Sequence, residues 1–107
     1  MKRMSFALTV QQVLDRSKTV TRREGWAELK VGDELLAVDR MVGGRVLATI
    51  RVVDVRVERW RDITPADVRR EGFPAMTVSE FLDMACRALG VDRDAEVRRV
   101  AFIYLPS

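Results

Sequence analysis

The chain has 107 residues, 48% of them hydrophobic and 33% charged, which favours one soluble domain over residues 1–107. Histidine is absent, so catalysis by a histidine base and metal sites with histidine ligands are excluded. The net charge of +3 favours a polyanionic partner only where the arginines cluster.

The first part of the chain predicts a strand, a short helix and a second strand. Residues 4–7 can form the first strand. Thr9 and Gln12 match a capping box, and apolar residues follow at helical spacing, so we expect a helix over residues 10–16. Residues 19–23 then favour an extended strand, because threonine and valine are good strand formers.

A long hairpin is expected next. The apolar run 34–40 predicts a buried strand, and Gly43-Gly44 predicts the turn into a longer return strand. Apolar residues alternate along that return strand up to Val52, and their parity changes at Val53. Side chains of a strand cannot change face without an extra residue, so we expect a bulge or bend there, of the kind that curves a sheet into a barrel.

Two helices follow the hairpin. Thr64 caps the first, Asp67 suits the positive end of its dipole, and Gly72 ends it. Thr77 and Glu80 form a second capping box ahead of an amphipathic helix that stops at a glycine.

The last strand is expected over residues 97–105, with its apolar centre, residues 100–105, buried on both faces. The predicted order is therefore strand, helix, strand, hairpin, two helices, strand. This order indicates an α+β fold, a small mixed β-barrel with a closed sheet and short helices packed at its side.

Residues 18–23 (KTVTRR) carry an amine, two hydroxyls and two guanidiniums in succession. Buried polar groups need partners, so this run is a poor core strand. It could be an exposed edge strand that is protected from aggregation by its charges. It could also be a site strand, whose cations reach a phosphate or a carbonyl. The spacing alone leaves both interpretations open.

Three segments together resemble the ASCH family: residues 17–23, residues 29–33 (LKVGD), and Glu71 ahead of residues 76–81. The resemblance implies a PUA-like β-barrel that binds RNA or modified nucleosides. Some small bacterial members of that family are amidohydrolases that remove the acetyl group from N(4)-acetylcytidine. For those members the resemblance implies Lys18 as proton acceptor, Thr21 as nucleophile and Glu71 as proton donor.

The residue chemistry is compatible with these roles. A threonine hydroxyl needs a base, and without histidine a lysine with its pKa lowered by burial or nearby cations is the natural one. Glu71 can donate a proton from an apolar setting. Lys18 and Thr21 are three residues apart, so they share a site only if Lys18 lies at a helix–strand junction. Otherwise Thr19 or a water is the better nucleophile.

The expected binding residues are Thr19, Arg22, Arg23 and Trp26. An aromatic side chain would stack on the base, and an arginine would meet a phosphate or a carbonyl. Backbone N–H groups or Arg22 would stabilise the oxyanion. Trp26, like Trp60, could equally be a core aromatic. The pocket is expected between the strand at residues 18–23 and the helix at residues 64–72.

The alternative function is a non-catalytic RNA-binding or regulatory interaction domain, so enzymatic activity stays open at this point. We expect no cofactor, no metal and no membrane span, because no apolar run approaches the length of one. Cys86 is the single cysteine, which leaves no disulfide partner within the chain and is typical of a cytoplasmic protein.

Overall fold

The structure is a computed structural model and describes residues 1–106. Its strands are β1 (Lys2–Ser5), β2 (Val20–Arg23), β3 (Glu34–Val38), β4 (Val46–Arg59) and β5 (Glu96–Tyr104). Its α-helices are α1 (Val10–Leu14), α2 (Pro65–Arg70) and α3 (Val78–Leu89), and a 3-10 turn, Trp60–Asp62, leads from β4 to α2. The element order is the one that the sequence predicts.

The five strands form one mixed sheet in the order β1-β3-β4-β5-β2. β1 runs parallel to β3, and the other neighbouring pairs are antiparallel. The sheet curves into a half-barrel with three short helices, which confirms the α+β class. The expectation of a closed sheet is wrong for residues 1–106, since β1 and β2 are edges. A side chain bridges these edges instead: the Arg23 guanidinium donates to the Ser5 carbonyl at 2.6 Å.

The bulge predicted in the long strand is present. Val52 pairs with Phe102 and Asp54 pairs with Ala101, so Val53 is the extra residue of β4. Because of this extra residue, Val52 and Val55 both contact the same core although they are three residues apart. The bulge thus keeps Val52 and Val55 on the same face of the sheet.

Two apolar clusters lie on opposite faces of β5, and Val97 and Val100 belong to different ones. The cluster inside the half-barrel includes Met4, Phe6, Val13, Leu35, Ile50 and Phe102. The cluster under α2 and α3 includes Trp60, Ile63, Val68, Phe81, Leu82 and Ala85. The expected two-sided burial of residues 100–105 is wrong at Ile103, which is 45% exposed. The helices cover the outer face of β5 at Val97 and Arg99 and leave Ile103 uncovered.

The two later helices begin where the sequence predicts. The Thr64 hydroxyl accepts from the Asp67 N–H at 3.2 Å, and Pro65 occupies the first turn. Thr77 and Glu80 form the complete capping box of α3, and Gly90 ends that helix in the left-handed conformation. These caps satisfy N–H groups that the helix leaves unpaired.

The first helix differs from its prediction. Thr9 makes no side-chain capping hydrogen bond, so the expected box with Gln12 does not form. The helix ends at Leu14 rather than residue 16, because Arg16 adopts a left-handed φ of 64° that cannot continue a right-handed helix. β1 also lies two residues earlier than predicted, at the positions that pair with β3. None of the helices in residues 1–106 is long and apolar enough to cross a membrane.

Candidate active site

A cavity of about 390 Å³ opens between β2, the β1–α1 loop and α3. Small-molecule sites span roughly 300–1,000 Å³, so a nucleoside-sized ligand is within its capacity. Its polar wall includes Lys18, Thr21, Arg22, Arg23, Glu24 and Glu71. Its apolar wall includes Phe6, Leu8, Phe73, Phe81, Met84 and Leu89. The expected pocket lay between β2 and α2; α2 contributes through Glu71 at its end, whereas α3 forms the opposite wall.

Lys18 lies in the junction between α1 and β2, not within the strand. Its N–H donates to the Gln12 carbonyl at 3.1 Å, and its own carbonyl accepts from the Tyr104 hydroxyl at 2.6 Å. The turn at Arg16 redirects the chain before β2 begins at Val20. Lys18 and Thr21 therefore line the same cavity, although a regular strand would point them to opposite faces.

The Lys18 amine and the Glu71 carboxylate form a buried pair. Lys18 Nζ donates to Glu71 Oε1 at 2.7 Å and to the Glu71 carbonyl at 2.9 Å. Their side chains are 4% and 5% exposed. Burial lowers the pKa of Lys18, although the charge and hydrogen bond of Glu71 oppose this effect. The charges of Arg23 and Arg22 lower the Lys18 pKa further.

The Thr21 hydroxyl is held by Arg23, whose Nε donates to Thr21 Oγ1 at 3.1 Å. The Arg23 guanidinium also lies over the Phe6 ring, 4.7 Å from its centroid. Burial lowers the pKa of Arg23 to about 10, while the charge of Glu71 acts in the opposite direction. Thr21 is thus a buried hydroxyl next to a cation, which favours development of negative charge on its oxygen.

Arg22 joins three carboxylates behind the cavity wall. One terminal nitrogen donates to Glu71 Oε2 at 3.3 Å. The other donates to Glu58 Oε1 at 2.6 Å and to Asp67 Oδ2 at 2.9 Å. The side chain is 1% exposed, and its Nε is buried without a hydrogen-bond partner in residues 1–106. The terminal nitrogens of Arg22 are therefore engaged by the protein.

Asp67 and Arg99 complete this network, and sequence reasoning missed both. Arg99 Nε donates to Asp67 Oδ2 at 2.6 Å, and its NH2 donates to Oδ1 at 2.9 Å. The Arg99 hydrogen bonds hold the pKa of Asp67 well below its usual range, against the opposing effect of burial. Two signals could have found them. Asp67 and Glu71 are four residues apart and share a helix face, and Arg99 interrupts an apolar strand.

Three solved structures are similar to this chain. Protein EF3133 from Enterococcus faecalis V583, of the family DUF984, superposes with a TM-score of 0.71 at 16% identity, over 98% of this chain and 76% of its own. An ASCH domain from Lactobacillus crispatus JV V101 has a TM-score of 0.63 at 16% identity, over 96% and 78%. The chain has an ASCH-type fold. Hypothetical protein PH0355 has a TM-score of 0.72 at 13% identity, over 97% and 96%.

These likenesses confirm the ASCH resemblance at the level of the fold. No family model matches the sequence, and no curated protein matches it. Fold and function are separable, so the activity has to be argued from the site itself.

In this ASCH-type fold, two of the expected binding residues lie away from the cavity. Thr19 is not part of its lining; its N–H donates to the Arg70 carbonyl at 2.8 Å and its carbonyl accepts from Phe102 at 3.0 Å. Trp26 packs against the core of the half-barrel. The tryptophan of the cavity lining is Trp60, which is 2% exposed. Within the described part of the chain, no cluster of His, Cys, Asp or Glu is arranged to hold a metal.

Proposed function

We propose that the cavity binds a modified nucleoside, free or in RNA, and that Lys18, Thr21 and Glu71 hydrolyse the amide of an N(4)-acetylated cytosine. In this proposal residues 1–107 are one ASCH-like domain. The observation that carries it is the buried contact of 2.7 Å between Lys18 Nζ and Glu71 Oε1, on the wall that also holds Thr21. The sequence resemblance points to the same ligand class.

The buried pair contains one transferable proton. In the free protein Lys18 Nζ donates to Glu71 Oε1. Moving this proton to the carboxylate gives a neutral amine beside a neutral acid, with no change in net charge. Burial favours the neutral form, because a charged amine loses its hydration. That form presents a base and an acid to one substrate, as amide hydrolysis requires.

In the acylation step the Lys18 amine takes the Thr21 hydroxyl proton while Oγ1 bonds to the acetyl carbon. In the free protein these groups are engaged by Glu71 and Arg23, so substrate binding has to bring them together, directly or through one water. The C–N bond then breaks, and Glu71 gives its proton to the departing exocyclic nitrogen. Backbone N–H groups stabilise the oxyanion, a role worth ~3–4 kcal/mol per donor; Arg22, the other expected donor, has its terminal nitrogens bound to Glu71, Glu58 and Asp67 in the free protein.

The second step restores the starting protonation of all three residues, with water replacing the proton that left on the amine. After acylation Lys18 is an ammonium, Glu71 a carboxylate and Thr21 an acetyl ester. Water attacks the ester carbon while Glu71 takes a proton from it. The ester bond then breaks, Lys18 returns its proton to Thr21 Oγ1, and acetic acid leaves with the atoms of water. A direct attack by water on the substrate amide is the alternative route, and it needs no Thr21.

The decisive experiment is incubation with N(4)-acetylcytidine and chromatographic measurement of cytidine release. We expect release by the wild type and a loss of at least ~100-fold in Lys18→Ala, Thr21→Ala and Glu71→Gln. Lys30→Ala and Glu34→Gln are the matched controls, since both residues are exposed, and they should retain activity. No release by the wild type would refute the substrate. Release that survives the three site variants would refute the mechanism, and loss with EDTA would indicate a metal.

The second candidate is a binding domain without catalysis. The favouring observation is that Lys18 and Thr21 are each hydrogen-bonded to other side chains in the free protein, Glu71 and Arg23. This candidate predicts saturable binding of short RNAs or modified nucleosides, weakened by Arg23→Ala, with no product formed. Titration at two salt concentrations separates it from non-specific polyanion binding, which has a steep salt dependence and no base preference.

A further inference from the structure

A carboxylate outside the cavity is connected to the Lys18–Glu71 pair through one arginine. We propose that Asp67 is a positioning residue, which holds Arg22 against Glu71 and sets the pH at which the pair loses its shared proton. Its effect on catalysis rests on the proposed function. Its effect on the titration of Lys18 does not.

The short helix α2 is the reason that Arg22 can bridge two carboxylates. Asp67 lies in α2 and Glu71 caps its C-terminal end, one helical turn further on. Arg22 NH2 donates to Asp67 Oδ2 at 2.9 Å, and Arg22 NH1 donates to Glu71 Oε2 at 3.3 Å. The guanidinium is planar and rigid, so the carboxylate that fixes one nitrogen also fixes the direction of the other.

Asp67 itself is held by two further arginines. Arg99 of β5 donates two hydrogen bonds to its carboxylate, and Arg70 NH1 donates to Oδ1 at 2.9 Å. The N–H of Asp67 is bound by the Thr64 cap, and the residue is 2% exposed. A carboxylate with this many partners has a single position. Because Asp67 fixes Arg22, it also fixes Glu71 Oε2, the oxygen that Arg22 binds and that Lys18 does not contact.

The charges around the pair come from the α1–β2 junction, β2, α2, β4 and β5. The cations are Lys18, Arg22 and Arg23 from the junction and β2, Arg70 from α2, and Arg99 from β5. The anions are Asp54 and Glu58 from β4, Asp67 from α2, Glu71 at the end of α2, and Glu24, which follows β2 and lines the cavity. The α3 residues that line the cavity are apolar. Loss of the Asp67 charge therefore leaves excess positive charge, which disfavours a proton on the pair.

Two variants should move the titration in opposite directions. Asp67→Asn removes a negative charge, so the pair should lose its proton at a pH lower by about 1 unit, for charges roughly one helical turn apart. Arg99→Gln removes a positive charge, so the pair should keep its proton to a higher pH. A purely structural role would lower stability in both variants and move neither titration. Asp67 and Arg99 do not line the cavity, so KM should change less than kcat.

The test combines activity with an independent measurement. The lysines of the chain are Lys2, Lys18 and Lys30, so the side-chain nitrogen signals in NMR spectra of ¹⁵N-lysine-labelled protein are few, and Lys18→Met assigns one. The pH titration of that signal is compared for wild type, Asp67→Asn, Arg99→Gln and the exposed control Asp83→Asn. Thermal unfolding checks that each variant is folded. If Asp67→Asn does not fold, the test rests on Arg99→Gln, whose Lys18 midpoint should rise.

The proposal is supported if the pH midpoint of the Lys18 titration moves down in Asp67→Asn and up in Arg99→Gln, and stays at the wild-type value in Asp83→Asn. The high-pH limb of the kcat profile for cytidine release should follow the same shifts. If the wild type releases no cytidine but the signal shifts as expected, the proposed function fails and the coupling stands. The coupling is overturned if both variants move the Lys18 midpoint in the same direction, or if neither moves it more than Asp83→Asn does.

Discussion

Lys18 and Glu71 are 53 residues apart in the sequence, and their side chains meet at 2.7 Å with hardly any exposure to solvent. The contact joins the α1–β2 junction to the C-terminal end of α2. A charge that is buried without its partner is strongly unfavourable, so each residue compensates the buried charge of the other. The proposed acid and base are therefore also structural elements, and their variants need a stability measurement beside an activity measurement.

Removing both members of this pair should destabilise the protein by less than the sum of the two single removals. We expect Lys18→Met or Glu71→Leu to lower the free energy of unfolding by ~3–5 kcal/mol, because the remaining charge is buried alone. The double variant should lose less than the sum of the two. Urea denaturation measures this. The matched control is the exposed pair Arg51–Glu34, whose removal should change stability by ~0–1 kcal/mol. Additive losses at Lys18 and Glu71 would contradict the expectation.

Gly72 keeps α1 close to the end of α2. Its φ is +104°, and a Cβ on it would lie 2.6 Å from Gln12 Cγ and 2.8 Å from Gln12 Cβ. We expect Gly72→Ala to displace α1, whose Gln12 carbonyl binds the Lys18 N–H, and thus to disturb Lys18 as well as stability. Backbone strain and overpacking together should lower the free energy of unfolding by more than ~2 kcal/mol.

A second glycine provides the control for this prediction. Gly90 also has a positive φ, +66°, but a Cβ there meets nothing within 4 Å. Gly90→Ala should therefore show backbone strain alone, about 1–2 kcal/mol, and leave the Lys18 signal and any activity unchanged. Gln12→Ala removes the nearer contact atom and should recover part of the loss in Gly72→Ala. Equal losses at Gly72 and Gly90 would mean that the contact with Gln12 is unimportant.

Local patterns predicted the local structure well. The bulge at Val53 follows from the change of parity, and the start of α3 follows from Thr77 and Glu80, since these signals depend on neighbours in the sequence. The end of α1 was predicted two residues too late, because the left-handed backbone at Arg16 stops the helix, and the Thr9–Gln12 pattern matched a capping box that does not form. Periodicity likewise could not show that the helices leave the outer face of β5 uncovered at Ile103.

The candidate site was predictable only in part. Motif positions singled out Lys18, Thr21 and Glu71, and the structure brings these three to one cavity. The segment that could have been an exposed edge strand instead contains Arg22, whose side chain is 1% exposed. The spacing of Asp67 and Glu71 indicates a shared helix face, but the charge network itself depends on Arg22 of β2 and Arg99 of β5, which are distant in the sequence. A residue that suits a helix dipole and a residue that organises a charge network have the same local signature.

Stability at acidic pH should depend on Asp67. Its pKa in the folded protein lies below the unfolded value of 3.8, chiefly because of the Arg99 hydrogen bonds. A lowered folded pKa means that this stabilisation is present above pH ~4 and is lost as the pH falls below that value. Urea unfolding from pH ~6 to ~2 should show this decline in the wild type and a shallower one in Asp67→Asn. Asp83→Asn should keep the wild-type slope, and parallel slopes for all three proteins would contradict the prediction.

Tyr104 should dominate stability at alkaline pH. Its hydroxyl donates to the Lys18 carbonyl at 2.6 Å, and burial raises its pKa from 10.0 to about 12. The folded pKa exceeds the unfolded one, so this stabilisation is complete below pH ~10 and is lost as the pH rises towards ~12. The lowered pKa of Lys18 acts in the opposite sense up to its unfolded value of 10.5, and comparison with Tyr104→Phe separates the two effects. The chain has a single tyrosine, so tyrosinate absorbance reports Tyr104 alone. We expect Tyr104 to ionise well above pH ~10 in the folded state and near pH ~10 in urea. Equal ionisation midpoints in the two states would contradict the prediction. So would a loss of wild-type stability at alkaline pH that is no steeper than the loss in Tyr104→Phe.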